Sequence, residues 1–147
     1  MNVSKIADEI LKKNKKKGFV INIEEETIRN KNFRKVIYTA ENLQLVLMTL
    51  KPKEDIGKET HKDVDQFFRL DAGSGEVVIS GETHQIKDGF SILIPAGTEH
   101  NIINTGKEDL KLYTLYAPPQ HKDKIIHKTK ADALNDKTDE FDGKTTE

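Results

Sequence analysis

With no cysteine anywhere in it, this chain has only His, Asp, Glu and Gln side chains with which to hold a metal ion, and it has no thiol nucleophile. The stretch whose spacing says most is Gly89-Phe-Ser-Ile-Leu-Ile-Pro95-Ala-Gly97-Thr-Glu-His100-Asn-Ile-Ile-Asn104. Asp88-Gly89 turns the chain into a short apolar strand, Pro95 and Gly97 shape the next turn, and His100 opens a further strand. With His100 facing inward, period-two alternation puts Ile102 and Asn104 on the same interior face. Earlier, Glu59 and His61 lie two apart, so on a strand they share a face, as two ligands of one ion must. Residues 62–65 read as a turn, after which Gln66, Phe68 and Leu70 share the inner face of the next strand. Asp63 and Asp65 could take a ligand position in a shifted register. In a turn, their carboxylates are instead solvated or bond backbone amides.

Holding such groups in place requires a rigid scaffold, and the patterning supplies strands. Nine short β-rich runs are expected, at 19–23, 33–39, 43–50, 66–70, 76–80, 83–86, 91–94, 100–103 and 110–116. They are separated by turn chemistry such as Gly73-Ser74-Gly75, Ser80-Gly81 and Thr105-Gly106. No helix-length segment lies between Phe33 and Tyr116 to act as a crossover, so a parallel sheet is disfavoured and a sandwich or barrel favoured. Before the strands, Ile6, Ala7, Ile10 and Leu11 recur at helical spacing, with Ser4 as a cap and the lysine-rich KKNKKKG closing the helix at its negative pole. The chain therefore divides into a helical extension (1–18), a β-barrel domain (19–120) and a charged tail (121–147). The last stretch of the tail, 135–147, is expected to be loosely ordered, after a helical turn at 129–134 that packs back on the barrel, so that removing residues 137–147 would leave the melting temperature nearly unchanged.

At 147 residues, 35% hydrophobic and 33% charged, the chain is the size and composition of one soluble domain with a core of its own. Its 24 basic residues against 25 acidic ones leave a formal charge of -1, which argues against nucleic acid as a partner. No apolar run approaches the roughly 20 residues of a membrane span, and no secretory signal is visible at the start. A cytoplasmic location is the expectation.

The Gly89–Asn104 pattern, spacing included, resembles the second motif of the cupin family. The first cupin motif is matched less fully: aligned on Gly73, it places Gln66 at the family's Glu, His61 at its second His, Glu59 at its first His and Lys53 at its leading Gly, so only His61 and Gly73 keep the family's residue. The resemblance spans about residues 51–116 and implies an all-β fold, a double-stranded β-helix or jelly-roll barrel. It also implies a metal site of Glu59, His61, Gln66 and His100. Two imidazoles and a carboxylate are the donors of non-haem iron sites and equally accept manganese, nickel, copper or zinc. Gln66 is a weak neutral ligand, suited also to holding a metal-bound water or orienting a substrate. The resemblance offers dioxygenases, isomerases and decarboxylases of small organic substrates as precedents, with non-catalytic ligand binding or sensing as the alternative, and suggests a homodimer. Phe67, Phe68, Phe90, Tyr113 and Tyr116 are candidates for core or pocket lining, with Arg69 and Asn104 as further polar candidates beside Gln66 and Tyr113. His84 reads as a surface or supporting imidazole, and His121 and His127 as solvated.

Overall fold

We describe residues 3–13 and 15–147 of the computed structural model of the chain. After α1 (Val3–Lys13) and α2 (Ile23–Arg29) come β1 (Arg34–Thr39), β2 (Gln44–Leu50), β3 (Asp65–Ala72), β4 (Ser74–Ile79), β5 (Glu82–Lys87), β6 (Ser91–Ile94), β7 (His100–Ile103), β8 (Leu110–Ala117) and β9 (Ile126–His127), then α3 (Lys130–Asn135). The strand pairs are antiparallel. One sheet has the order β6-β3-β8-β2-β1-β9 and the other β5-β4-β7. Bridges from Asp55 to Ile103 and from Glu59 to His100 lay residues 55–59 along the free edge of β7. The result is the all-β jelly roll with a short N-terminal helix that the sequence predicts.

The interior is organised in cross-strand rungs. The first is Gln66, Tyr116, Gln44 and Thr39; the second Phe68, Thr114, Val46 and Val36; the third Leu70, Leu112, Met48, Arg34 and His127. All of these side chains are buried, as alternation along each strand requires. Apolar groups dominate the middle of the barrel. Polar groups concentrate on the first rung and at the Arg34–His127 edge of the third. The smaller sheet closes over them through Val77, Ile86, His100 and Ile102.

Close approach of β4 to β7 depends on Gly75. A Cβ there would sit 2.2 Å from the Ile103 carbonyl oxygen and 3.0 Å from Leu110 Cδ1. The nearer obstacle is backbone hydrogen-bonded into β7, so it cannot swing aside. Gly75→Ala is expected to destabilise the barrel by about 3 kcal/mol, the upper end of the overpacking range. Chemical denaturation checks this, and a midpoint equal to the parent's would contradict it.

Three expectations are corrected. Residues 19–23 form no strand, although Val20, Ile21 and Ile23 favour one. Asn22 instead caps α2 by accepting the Glu25 N–H (3.1 Å), and Glu24, Glu25 and Glu26 fill the first turn, where the helix dipole favours negative charge. The first helix ends at Lys13 rather than Lys17, and Asn14 lies outside the described residues. Gly18 has φ 72 but is not its cap: its N–H and that of Lys17 donate to the Glu147 carboxylate. The helical turn expected near 129–134 is α3, but the last stretch, 135–147, is not loose, and the whole segment from 121 is tied to the barrel. β9 pairs with β1, a Thr129/Asp132 capping box starts α3, Phe141 N–H donates to Gln120 O (3.1 Å), and Thr146 bonds the Thr39 backbone in both directions. The buried Gln44 amide ties this segment to the barrel, donating to His121 O and accepting from the Gln120 and His121 N–H groups.

Candidate metal centre

The backbone of Glu59 and His100 exchanges both hydrogen bonds, N–H to O at 2.9 Å each way. Residues paired in this manner project their side chains from the same face of a sheet, here toward the barrel interior. His61, two residues beyond Glu59, follows on that face. Its carbonyl accepts the Gly97 N–H at 2.8 Å, and Gly97, with φ 79, makes the turn that brings this amide round. Lys53, aligned above with a glycine, has φ 74. A conformation that glycine adopts most easily at this position supports the register of the first motif.

Ligand atoms of Glu59, His61 and His100 all lie within 4.8 Å of one another. His61 Nε2 is 3.1 Å from Glu59 Oε2, and the two imidazole centroids are 5.6 Å apart. His100 Nδ1 donates to the Thr98 carbonyl at 2.9 Å, which fixes the tautomer and leaves the Nε2 lone pair free. That Nε2 is buried and has no hydrogen-bond partner. A second-site hydrogen bond on one nitrogen and a lone pair on the other is how a metal-binding imidazole is prepared. Across the interior, the Gln66 amide donates to Thr114 Oγ1 (3.0 Å), while its Oε1 is buried and unpartnered. Leaving a buried acceptor unsatisfied costs roughly 1–3 kcal/mol, and both atoms are left in that state. Burial pushes the Glu59 carboxyl up, but the hydrogen bond with His61 and the electrostatic influence of His61, Arg34 and His100 leave it below its ordinary value, which favours the anion.

Of the alternative acids, Asp63 is exposed in the turn, and Asp65 is exposed and accepts the Ala96 N–H at 2.8 Å. Neither joins the triad. Asn104 is fully buried but caps the Leu50 and Glu108 carbonyls and receives the Gly106 N–H. Arg69 pairs with Asp71, Phe67 packs against Tyr113, and Phe90 is exposed. Of the aromatic candidates, Tyr116 and Phe68 reach the site, edge-on to His61 and His100 respectively. An apolar groove lined by Leu43, Phe67, Leu93, Pro95 and Leu115 lies on the outer face of the large sheet. His84 stays at the surface near Glu82.

The expectation for His121 and His127 is overturned, since both are buried and each is paired with an acid of the C-terminal segment. His121 Nδ1 meets Asp139 Oδ2 at 2.7 Å, and its Nε2 meets the Tyr116 hydroxyl at 3.2 Å. His127 Nε2 meets Asp136 Oδ2 at 2.9 Å, and its Nδ1 meets Arg34 Nη1 at 3.3 Å. Burial holds His121 below the usual imidazole range despite Asp139, and raises the Tyr116 hydroxyl well above its own. The relay therefore runs from a protonated phenol through a neutral imidazole to a carboxylate. No local pattern marks these pairs in the sequence, because 18 and 9 residues separate the partners in a segment without periodicity.

The family model described as Cupin domain matches residues 46–116. The chain is 45% identical over 125 residues to the uncharacterized protein YrkC of Bacillus subtilis, covering 80% of this chain and 67% of that one. Among solved structures, BH2720 from Bacillus halodurans superposes with a TM-score of 0.79 at 45% identity, over 82% of this chain and 96% of that one. The cupin domain of Schizosaccharomyces pombe Cnp3 shares the fold, with a TM-score of 0.56 at 21% identity over 58% of this chain and 64% of that one. Two facing antiparallel sheets, a conforming second motif and these likenesses agree: the chain belongs to the cupin superfamily.

Proposed function

We propose that this cupin binds one divalent ion of iron, manganese, nickel, copper or zinc through Glu59, His61 and His100, with Gln66 as a neutral fourth contact, and acts on a small organic substrate. The observation that carries the reading is His100 Nε2, buried without a partner while Nδ1 is tied to Thr98, beside an imidazole and a carboxylate at ligand spacing. When bound, such an ion polarises a substrate oxygen or activates water or dioxygen. The chain's own part is to exclude water behind Phe68 and Tyr116, to present Glu59 as an anion, and to leave one side open where Glu59 remains 28% exposed. Elemental analysis of the protein, followed by titration of the chelator-stripped form with each metal, tests this. One equivalent of a transition ion or zinc is expected, and no uptake of any of them overturns it.

Gln66→Glu supplies the carboxylate that the cupin pattern has at this position. Because ligand charge governs divalent affinity, tightening by about tenfold or more is expected. The metal-free variant should melt lower than the metal-free parent, since a carboxylate at a site 3% exposed is desolvated with no cation beside it until the ion arrives. Chelator competition and melting curves read the two effects separately. Unchanged affinity would place Gln66 outside the ion's contacts.

One observation favours a second reading, a barrel that binds or senses a ligand without turning it over. Among the described residues, Glu59 is the one carboxylate in the triad, and holding the ion removes it as a general base. Ligand binding without product under multiple turnovers would select that reading.

A further inference from the structure

Arg34 begins β1 on the third interior rung and is 6% exposed. A guanidinium carries five N–H donors and is always charged, so burying one normally requires a carboxylate beside it. Here none lies within 4.0 Å among the described residues. Its polar contact is Nη1 to His127 Nδ1 at 3.3 Å, and its Nε is buried with no partner at all. Since Nδ1 of His127 accepts from Arg34, the proton of that imidazole is on Nε2, where it donates to Asp136 at 2.9 Å. The charge is thus compensated from one imidazole away, and most of the donor fork is left free.

This placement is not peripheral to the triad. The Arg34 charge acts on Glu59, on Tyr116 and on the His121–Asp139 pair, and Arg34 shares the barrel's interior face with Tyr116, two rungs away. Both Asp–His pairs come from the same C-terminal segment, and each ends on a polar group of the interior, one on Arg34 and the other on Tyr116. A cation kept in a barrel without a direct counter-ion, and oriented from behind, is a receptor for an anion.

We propose that Arg34 is the anion subsite of this barrel, receiving the carboxylate of a small organic acid whose other end reaches the Glu59–His61–His100 triad. A planar fork with one delocalised charge matches one carboxylate. The neighbouring rungs, filled by Met48, Leu112, Val46 and Phe68, favour a small one. The proposal names a substrate class for the metal reading above and rests on it for the far end of the substrate. The carboxylate contact itself needs no ion.

The test therefore uses the full chain freed of metal, so that a failed metal site and a failed anion subsite give different results. Formate, acetate and malonate are titrated by calorimetry and melting shift in chloride-free buffer, with acetamide and malonamide as uncharged counterparts and chloride as a separate arm. At least one carboxylate is expected to bind and raise the melting temperature, while its amide does not. Arg34→Met is expected to weaken that binding at least tenfold while melting no lower than the parent, because an apolar side chain of similar length removes an uncompensated buried charge. Arg34→Lys, which keeps the charge without the fork, is expected to fall between them and carries the test should Arg34→Met not fold. Absence of carboxylate binding to the parent, binding of chloride alone, or undiminished binding by Arg34→Met or, in its place, Arg34→Lys overturns the proposal.

Discussion

His100→Ala is expected to abolish the proposed metal binding while leaving the barrel folded. The substitution removes the donor whose Nε2 is buried and free and leaves one imidazole and one carboxylate, too few to hold a transition ion against solvent. Changes merely behind a ligand cost about 10–100-fold in affinity, so removal of the ligand itself is expected to cost at least about a hundredfold. The stability change is smaller. The hydrogen bond to Thr98 is lost and a cavity opens beside Phe68, but an unsatisfied buried nitrogen disappears as well. Elemental analysis of parent and variant, purified in parallel, reads the first effect, and a melting curve confirms that the variant is folded. Stoichiometric metal in the folded variant would remove His100 from the site.

Deleting residues 137–147 is the second large effect, and its direction reverses what the charged composition of this segment suggests. The cut removes Asp139, whose carboxylate bonds His121 Nδ1 and the Lys122 N–H, and with it the Phe141, Thr146 and Glu147 contacts to Gln120, Thr39 and Tyr38. Leaving His121 buried without its acceptor costs about 1–3 kcal/mol by itself, so a total of about 3 kcal/mol or more is expected. At roughly 2–4 °C per kcal/mol for a domain of this size, the melting temperature falls by about 6 °C or more. An unchanged melting temperature would show that the segment contributes nothing to the fold.

The same pair gives the parent a pH signature. Burial depresses the folded pKa of His121, so from about pH 6.5 downward the unfolded chain takes up a proton that the folded one refuses, and stability falls. Burial would raise Asp139, but the His121 hydrogen bond wins and its folded pKa is lowered. Its contribution is present above about pH 4 and is lost as the pH drops through the folded value.

What could be read in the sequence follows how local the determining forces are. The stretch from Gly89 to Asn104 was legible because each of its residues answers to its neighbours: Asp88-Gly89 and Pro95-Ala-Gly97 set turns, and alternation carries His100, Ile102 and Asn104 to one face. Glu59 and His61 were legible as a same-face pair, though only the pairing with β7 brings them to His100. Asn22 and three glutamates formed a visible helix start, but the β-branched residues around them gave the stronger local signal. Arg34, His121 and His127 were beyond reach, because their burial is imposed by chain closure. A histidine among lysines looks solvated until a distant aspartate folds back over it, and an arginine at the start of a strand shows nothing of which rung it occupies.

The reciprocal backbone pairing of Glu59 with His100 has a thermodynamic consequence. Two of the three triad side chains are neighbours in the sheet ladder, and a one-residue slip would turn one of them outward. Their relative placement is therefore settled when β7 docks, and the configurational entropy of bringing them together is lost at that moment and not at binding. Assembly of the barrel and placement of these side chains are one cooperative event, so a chain that has folded has already met most of the ordering cost of gripping the proposed ion.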